Sequence, residues 1–163
     1  MLSALAVTLS LALPAPVHGQ AAAPKADPAA KVVHNLKDGL AIEGYDPVSY
    51  FNESGPLKGS DALTASYLGG QYRFATAANR DRFVADPARY APQYGGYCGY
   101  GASRGYLAPV DPEAYTIMNG RLILQNSKSV LKLWQKEPEA RLKMADANWP
   151  SIVEKEGKPI PQA

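Results

Sequence analysis

Two runs of alternating apolar and polar residues, 63–68 and 71–74, meet at Gly69-Gly70. A two-residue glycine turn between alternating runs predicts a β-hairpin. Tyr72 falls in phase with Phe74 and Tyr67 opposite in phase to Leu68, so one face of the hairpin is aromatic and expected to be covered. Thr76 stands where an N-cap belongs, ahead of AANRDRFVADPARY, whose apolar stripe is Phe83 and Val84. Asp86-Pro87 breaks or restarts that helix. A second unit follows the same order. Residues 116–118 and 121–125 are strands joined by Asn119-Gly120, a strong hairpin signal, and Ser127 caps a helix carrying Val130, Leu131, Leu133 and Trp134. Glu137-Pro138 interrupts it. A further helical stretch puts Leu142, Ala145 and Trp149 on one face, and Pro150 is expected to end it.

Before the first hairpin the pattern is more broken. Asp38-Gly39 and Glu43-Gly44 are turn signals, which leaves 40–42 and 48–51 as short strands and 52–59 as a polar loop. Short hairpins interleaved with helices predict an α+β fold, small antiparallel hairpins packed with helices.

The N-terminal stretch changes the picture of where the domain lies. An apolar run over residues 2–13, then Pro14, Pro16 and small residues, has the pattern of a secretory signal peptide, and it is too short to span a bilayer. The expected organisation is a signal peptide over 1–23, a flexible spacer over 24–37, a domain over 38–150 and a fraying tail over 151–163. The expected location is the periplasm or the exterior, with no membrane association after signal removal. Hydrophobic residues at 46% and charged residues at 20% are enough for a buried core and argue against disorder. A formal charge of +2 with no block of Lys or Arg excludes a basic nucleic-acid surface.

The candidate chemistry is concentrated in residues 90–105, YAPQYGGYCGYGASRG. This glycine-rich loop presents the single cysteine, Cys98, among Tyr90, Tyr94, Tyr97 and Tyr100. One cysteine in an exported domain leaves no intramolecular disulfide, so the thiol is buried and inert, pairs with another molecule, or reacts. A reactive thiol needs a positive neighbour or a helix N-terminus, and Arg104 is the nearest charge in sequence. Without a C-x-x-C pair, a redox cycle at Cys98 needs an external thiol partner. Tyr94, Tyr97 and Tyr100, at three-residue spacing, are candidates for lining a cleft, with an aromatic core as the alternative. Tyr45 and Asp46 are candidates for pairing with this loop and, with Tyr94, Tyr97, Tyr100 and Arg104, for binding a ligand there, Asp46 being a turn cap before it is a catalytic carboxylate. His34 precedes the domain and reads as a surface residue. No Ser/His/Asp arrangement and no phosphate-binding glycine loop is present.

GYDPVSYF at 44–51, YLGGQYRFATAANRDRFVADPARYAPQYGGYCGYG at 67–101 and ANWP at 147–150 resemble the bacterial YHS-domain-containing proteins across nearly all of 38–150. The resemblance implies a YHS/TRASH-like hairpin-helix unit and an association with metal handling through cysteines. The places at which metal-associated versions carry those cysteines hold Ala75 and, approximately, Asn79 here, neither a soft ligand. Some relatives are recorded as selenoproteins at what looks like the Cys98 position, which implies a chemical role for that residue. Three readings stand. The first is an exported binding or accessory domain whose Tyr/Gly/Cys loop takes a small ligand or a soft metal ion such as Cu(I), with Cys98 as the ligand. The second is a redox protein with Cys98 as the catalytic thiol. The third is a structural or interaction module. A lone thiol is poorly suited to turnover, so a non-enzymatic role is favoured.

Overall fold

The computed structural model describes residues 30–160. The expected signal peptide, and the spacer up to residue 29, lie outside the described residues. The chain forms β1 (Lys31–Val32), β2 (Leu36–Lys37), β3 (Leu40–Ala41), β4 (Ser60–Tyr67), β5 (Gly70–Phe74), α1 (Ala77–Ala85), α2 (Pro87–Tyr90), α3 (Gly99–Ser103), β6 (Asp111–Met118), β7 (Arg121–Gln125), α4 (Lys128–Trp134), α5 (Pro138–Glu156) and β8 (Lys158–Pro159). The fold is α+β. One sheet has the order β2-β3-β5-β4, β6 pairs with β7, and β1 pairs with β8.

Strand β7 divides the interior. Leu122 and Leu124 face a cluster built on Phe74, Phe83, Tyr72, Val48 and Tyr50. Ile123 faces a second cluster with Tyr94, Ala102, Trp134, Leu142 and Ala145. Residues 122–125 are all 0% exposed, which explains why this strand reads as a continuous apolar run closed by a glutamine. The caps lie where the sequence puts them. Thr76 Oγ1 accepts from Asn79 N at 3.1 Å, and Ser127 Oγ accepts from Val130 N at 3.2 Å. Asp86 closes α1 and caps α2, so the Asp-Pro pair restarts the helix.

Several elements differ from expectation, each for a tertiary reason. The first hairpin turns at Leu68-Gly69 (φ 49° and 83°), one residue earlier than Gly69-Gly70, with Tyr67 paired to Gly70. Gly70 opens β5 at a place that only glycine fits, since a Cβ there would sit 2.9 Å from His34 Nδ1. Residues 49–51 form a 3₁₀ turn in place of a strand, wound by the Asp46 carboxylate, whose Oδ1 accepts from Val48 N at 2.9 Å and Ser49 N at 3.3 Å. Strand β3 stops at Ala41 because Ile42 and Glu43 both turn left-handed. Val84 is 59% exposed, so Phe83 is the apolar anchor of α1, with Asn79 buried beside it. In α4 only Trp134 is buried.

Helix α5 runs through Pro150 to Glu156. A mid-helix proline costs about 3 kcal/mol in isolation. It is offset here by Trp149 packed edge-on to Tyr94 at 5.6 Å, by buried Ile152, and by Asn148 Nδ2 donating to the carbonyls of Ala102 and Ser103 at 3.1 Å each. The part of the expected tail at 151–160 is therefore ordered into the fold, and its end pairs with the end of the expected spacer through β1 and β8. Residues 31–37 are likewise an arm of the domain: Val33 is 7% exposed, and Asn35 N donates to the Gly95 carbonyl at 2.8 Å.

Candidate functional site

The glycine-rich loop is a 3₁₀ turn over Tyr94–Gly96, an extended link, and the short helix α3. Cys98 is its hinge, 1% exposed and acting as the N-cap of α3. Its Sγ accepts from Gly101 N at 3.5 Å and Asn126 N at 3.3 Å, and its S–H points at Gln125 Oε1, 3.3 Å away. The same Oε1 accepts from Tyr100 N at 3.0 Å. Cysteine here does what serine or threonine does at most helix starts. Gln125 Nε2 is buried without a partner among the described residues, a cost of about 1–3 kcal/mol borne to place its oxygen. The sulfur's polar neighbours are thus two N–H groups and an amide oxygen. Among the described residues no group of three or more His, Cys, Asp or Glu could hold a metal ion, and with a single cysteine in the chain no second thiolate of its own can join Sγ on Cu(I).

Cys98 accordingly behaves as part of the core. A thiol-specific reagent is expected to modify it in native protein only at the rate of unfolding, and rapidly in denaturant. Fast labelling of the native protein across pH 5–9 would contradict that placement.

Arg104 does not approach the thiol. Its side chain is exposed at the end of α3 and makes no hydrogen bond or ion pair among the described residues. The Tyr100 ring lies under the Arg141 guanidinium at 4.9 Å. Tyr45 and Asp46 pair with other elements than this loop. Tyr45 lies under Lys58 Nζ at 4.0 Å, and its hydroxyl pKa is raised by burial and then by the Glu113 and Asp111 carboxylates. Asp46 is 0% exposed; besides its turn bonds, Oδ2 accepts from Ala75 N at 2.9 Å and Asn79 Nδ2 at 2.7 Å. With four donors on its two oxygens it is saturated. Ala75 and Asn79 thus serve a carboxylate clamp.

Tyr94 and Tyr97 do face open space, on opposite sides of the arm. A cleft of about 240 Å³ is bordered by Tyr67, Tyr72, Gln93, Tyr94, Trp149 and His34. A second, of about 390 Å³, holds Tyr97, Leu36, Leu107 and Lys158. Val32, Val33, His34 and Leu68 border both, so the arm is their shared wall. His34, expected on the surface, is partly buried between them, and burial lowers its pKa so that it stays neutral at neutral pH.

The Tyr94 side of the first cleft is held firmly. Tyr94 is 4% exposed and adopts φ 54°, left-handed for a non-glycine residue. Its hydroxyl donates to Asp146 Oδ1 at 2.8 Å, and Arg121 grips the same carboxylate through Nη1 at 2.8 Å and Nη2 at 2.6 Å. Burial and then the Asp146 acceptor raise the Tyr94 pKa, and the Arg121 hydrogen bonds lower that of Asp146. Arg121 Nε also donates to Gln93 Oε1 at 3.0 Å, which orients the glutamine. Arg121 and Asp146 carry no local motif, whereas Trp149 lies on the apolar face of its helix and within ANWP. Gln125 did leave a signal, as the polar residue closing an apolar strand. Comparison with protein-family models, with curated proteins and with solved structures finds no match to this chain.

Proposed function

We propose that this chain is an exported, YHS-like binding module without catalytic turnover, and that its ligand sits in the cleft beside Tyr94, away from Cys98. The observation that carries this is the conformation of Tyr94. A left-handed non-glycine residue costs on the order of 1–3 kcal/mol, and such strain concentrates where a side chain must be presented in one orientation. Here the strained residue has its hydroxyl fixed by Asp146 and Arg121 and its ring edge-on to Trp149, at the border of a cleft. A preorganised aromatic wall lowers the ordering cost of binding. The burial and saturation of the Cys98 sulfur support placing the ligand elsewhere.

The test is a screen of single-ring compounds against the ¹⁵N-labelled chain. Saturable shifts are expected at the amides of Tyr94 and Gly95 and at the Trp149 indole, with the Trp134 indole unmoved. Shifts centred on Cys98 and Gln125, or none anywhere, would overturn the assignment.

A further inference from the structure

We propose that this cleft takes an uncharged, planar, single-ring molecule whose carbonyl or hydroxyl oxygen is held by the hydroxyls of Tyr67 and Tyr72. The inference rests on the cleft being the binding site and adds the class of its ligand. Tyr72 is 3% exposed, borders the cleft and packs its ring on Phe83 at 4.7 Å, yet its hydroxyl makes no hydrogen bond among the described residues. The Tyr67 hydroxyl is equally uncommitted, its ring edge-on to Phe83 at 6.1 Å. Tyr67 is only partly buried and neither hydroxyl is sealed from solvent, so both are uncommitted donors open to the cleft. The two hydroxyls are close enough to act on each other electrostatically.

The chemistry of these groups selects the ligand. Burial raises both phenol pKa values, so both hydroxyls remain protonated and able to donate at neutral pH. Gln93 has committed its amide oxygen to Arg121, which leaves its NH₂ as a further uncharged donor. His34 is kept neutral by burial. The ionised group acting on Tyr67 is the Asp86 carboxylate, which disfavours an anion beside these hydroxyls. Lys31 borders the cleft, but its ammonium donates to the Glu154 carbonyl at 2.9 Å at an exposed position. A volume of about 240 Å³ equals about eight waters at roughly 30 Å³ each, room for one substituted ring.

The experiment titrates the full chain with benzamide, benzoate and toluene, following the Trp149 indole by NMR, in the natural sequence and in Tyr67→Phe/Tyr72→Phe. Benzamide is expected to bind at least about fivefold more tightly than either analogue and to lose about fivefold in the double variant. The lost hydroxyls have no protein partner, so the variant's melting temperature is expected to be unchanged, and the three-compound ranking needs no variant at all. Benzoate or toluene matching benzamide, or a double variant that binds benzamide unchanged, overturns the ligand class while leaving the cleft as a site. No shift of Trp149 with any of the three overturns the cleft assignment as well.

Discussion

Asp46→Ala is expected to remove about 4 kcal/mol of stability, near the top of the range for single substitutions. The carboxylate is 0% exposed and receives four donors: Val48 N, Ser49 N, Ala75 N and Asn79 Nδ2. Two of these wind the 46–51 turn, and the other two tie that turn to the junction of β5 and α1. Truncation leaves buried N–H groups without acceptors, at roughly 1–3 kcal/mol each before relaxation. It also frees the segment that positions Val48 and Tyr50, both in the first core cluster. Urea unfolding would show this as a midpoint lowered by roughly 2 M, for a slope of about 2 kcal/mol/M. Asp46→Asn keeps the shape but turns an NH₂ toward the donors of Ala75 and Asn79, so it is expected to recover less than half of the loss. An alanine variant within about 1 kcal/mol of the natural protein would show that water replaces the carboxylate and that the clamp is not structural.

Gly95→Ala is expected to cost about 3 kcal/mol and to detach the arm. A Cβ at Gly95 would overlap the Val33 carbonyl, and backbone cannot rotate aside as a side chain can. The arm must lift, exposing Val33 and breaking the bonds from Asn35 N to Gly95 O (2.8 Å) and from Asn35 Nδ2 to Gly96 O (3.0 Å). The residue also sits at φ 58°, worth about 1–2 kcal/mol against alanine. Gly96→Ala supplies the control. Its φ of 79° carries a similar backbone penalty, but its Cβ would meet Pro92 Cγ at 3.5 Å and Asn35 Cβ at 3.9 Å, both ordinary contacts. Gly96→Ala should therefore lose about 1 kcal/mol and keep the arm, whereas Gly95→Ala should also expose the Asn35 amide to hydrogen exchange. Equal protection of Asn35 in both variants would mean the arm does not depend on the close approach at Gly95. Because the arm is the wall between the two clefts, its loss should also weaken any ligand bound beside Tyr94.

The sequence by itself determined those parts of the fold that depend on near neighbours. Thr76, Asp86 and Ser127 cap helices because a side-chain oxygen needs only an N–H three residues on. Asn119-Gly120 turns its hairpin because both residues accept a positive φ, 53° and 72°. The α+β class follows from these local signals. The strand over 121–125 was legible from its hairpin turn, whereas its burial on both faces and the role of Gln125 in organising the glycine-rich loop come from the packing around it.

What the tertiary structure decided are the features that rest on distant partners. Pro150 ends a helix only where nothing else holds it, and Tyr94, Ala102 and Ser103 hold α5 straight through it. Residues 48–51 have strand-forming side chains, but Asp46 winds them into a turn. The arm reads as the end of the Ala- and Pro-rich stretch before it, and the helical tail as a fraying end because its composition is charged and proline-bearing. Their order comes from β1 pairing with β8 and from the close approach at Gly95, neither visible within any short window. The candidate site divides in the same way. Loop composition pointed to Tyr94 and Tyr97, which border these two clefts, and equally to Cys98, Tyr100 and Arg104, which border neither of them. Glycine and tyrosine density marks where a backbone can be shaped, but which rings face a cavity depends on where α5, β7 and the arm pack.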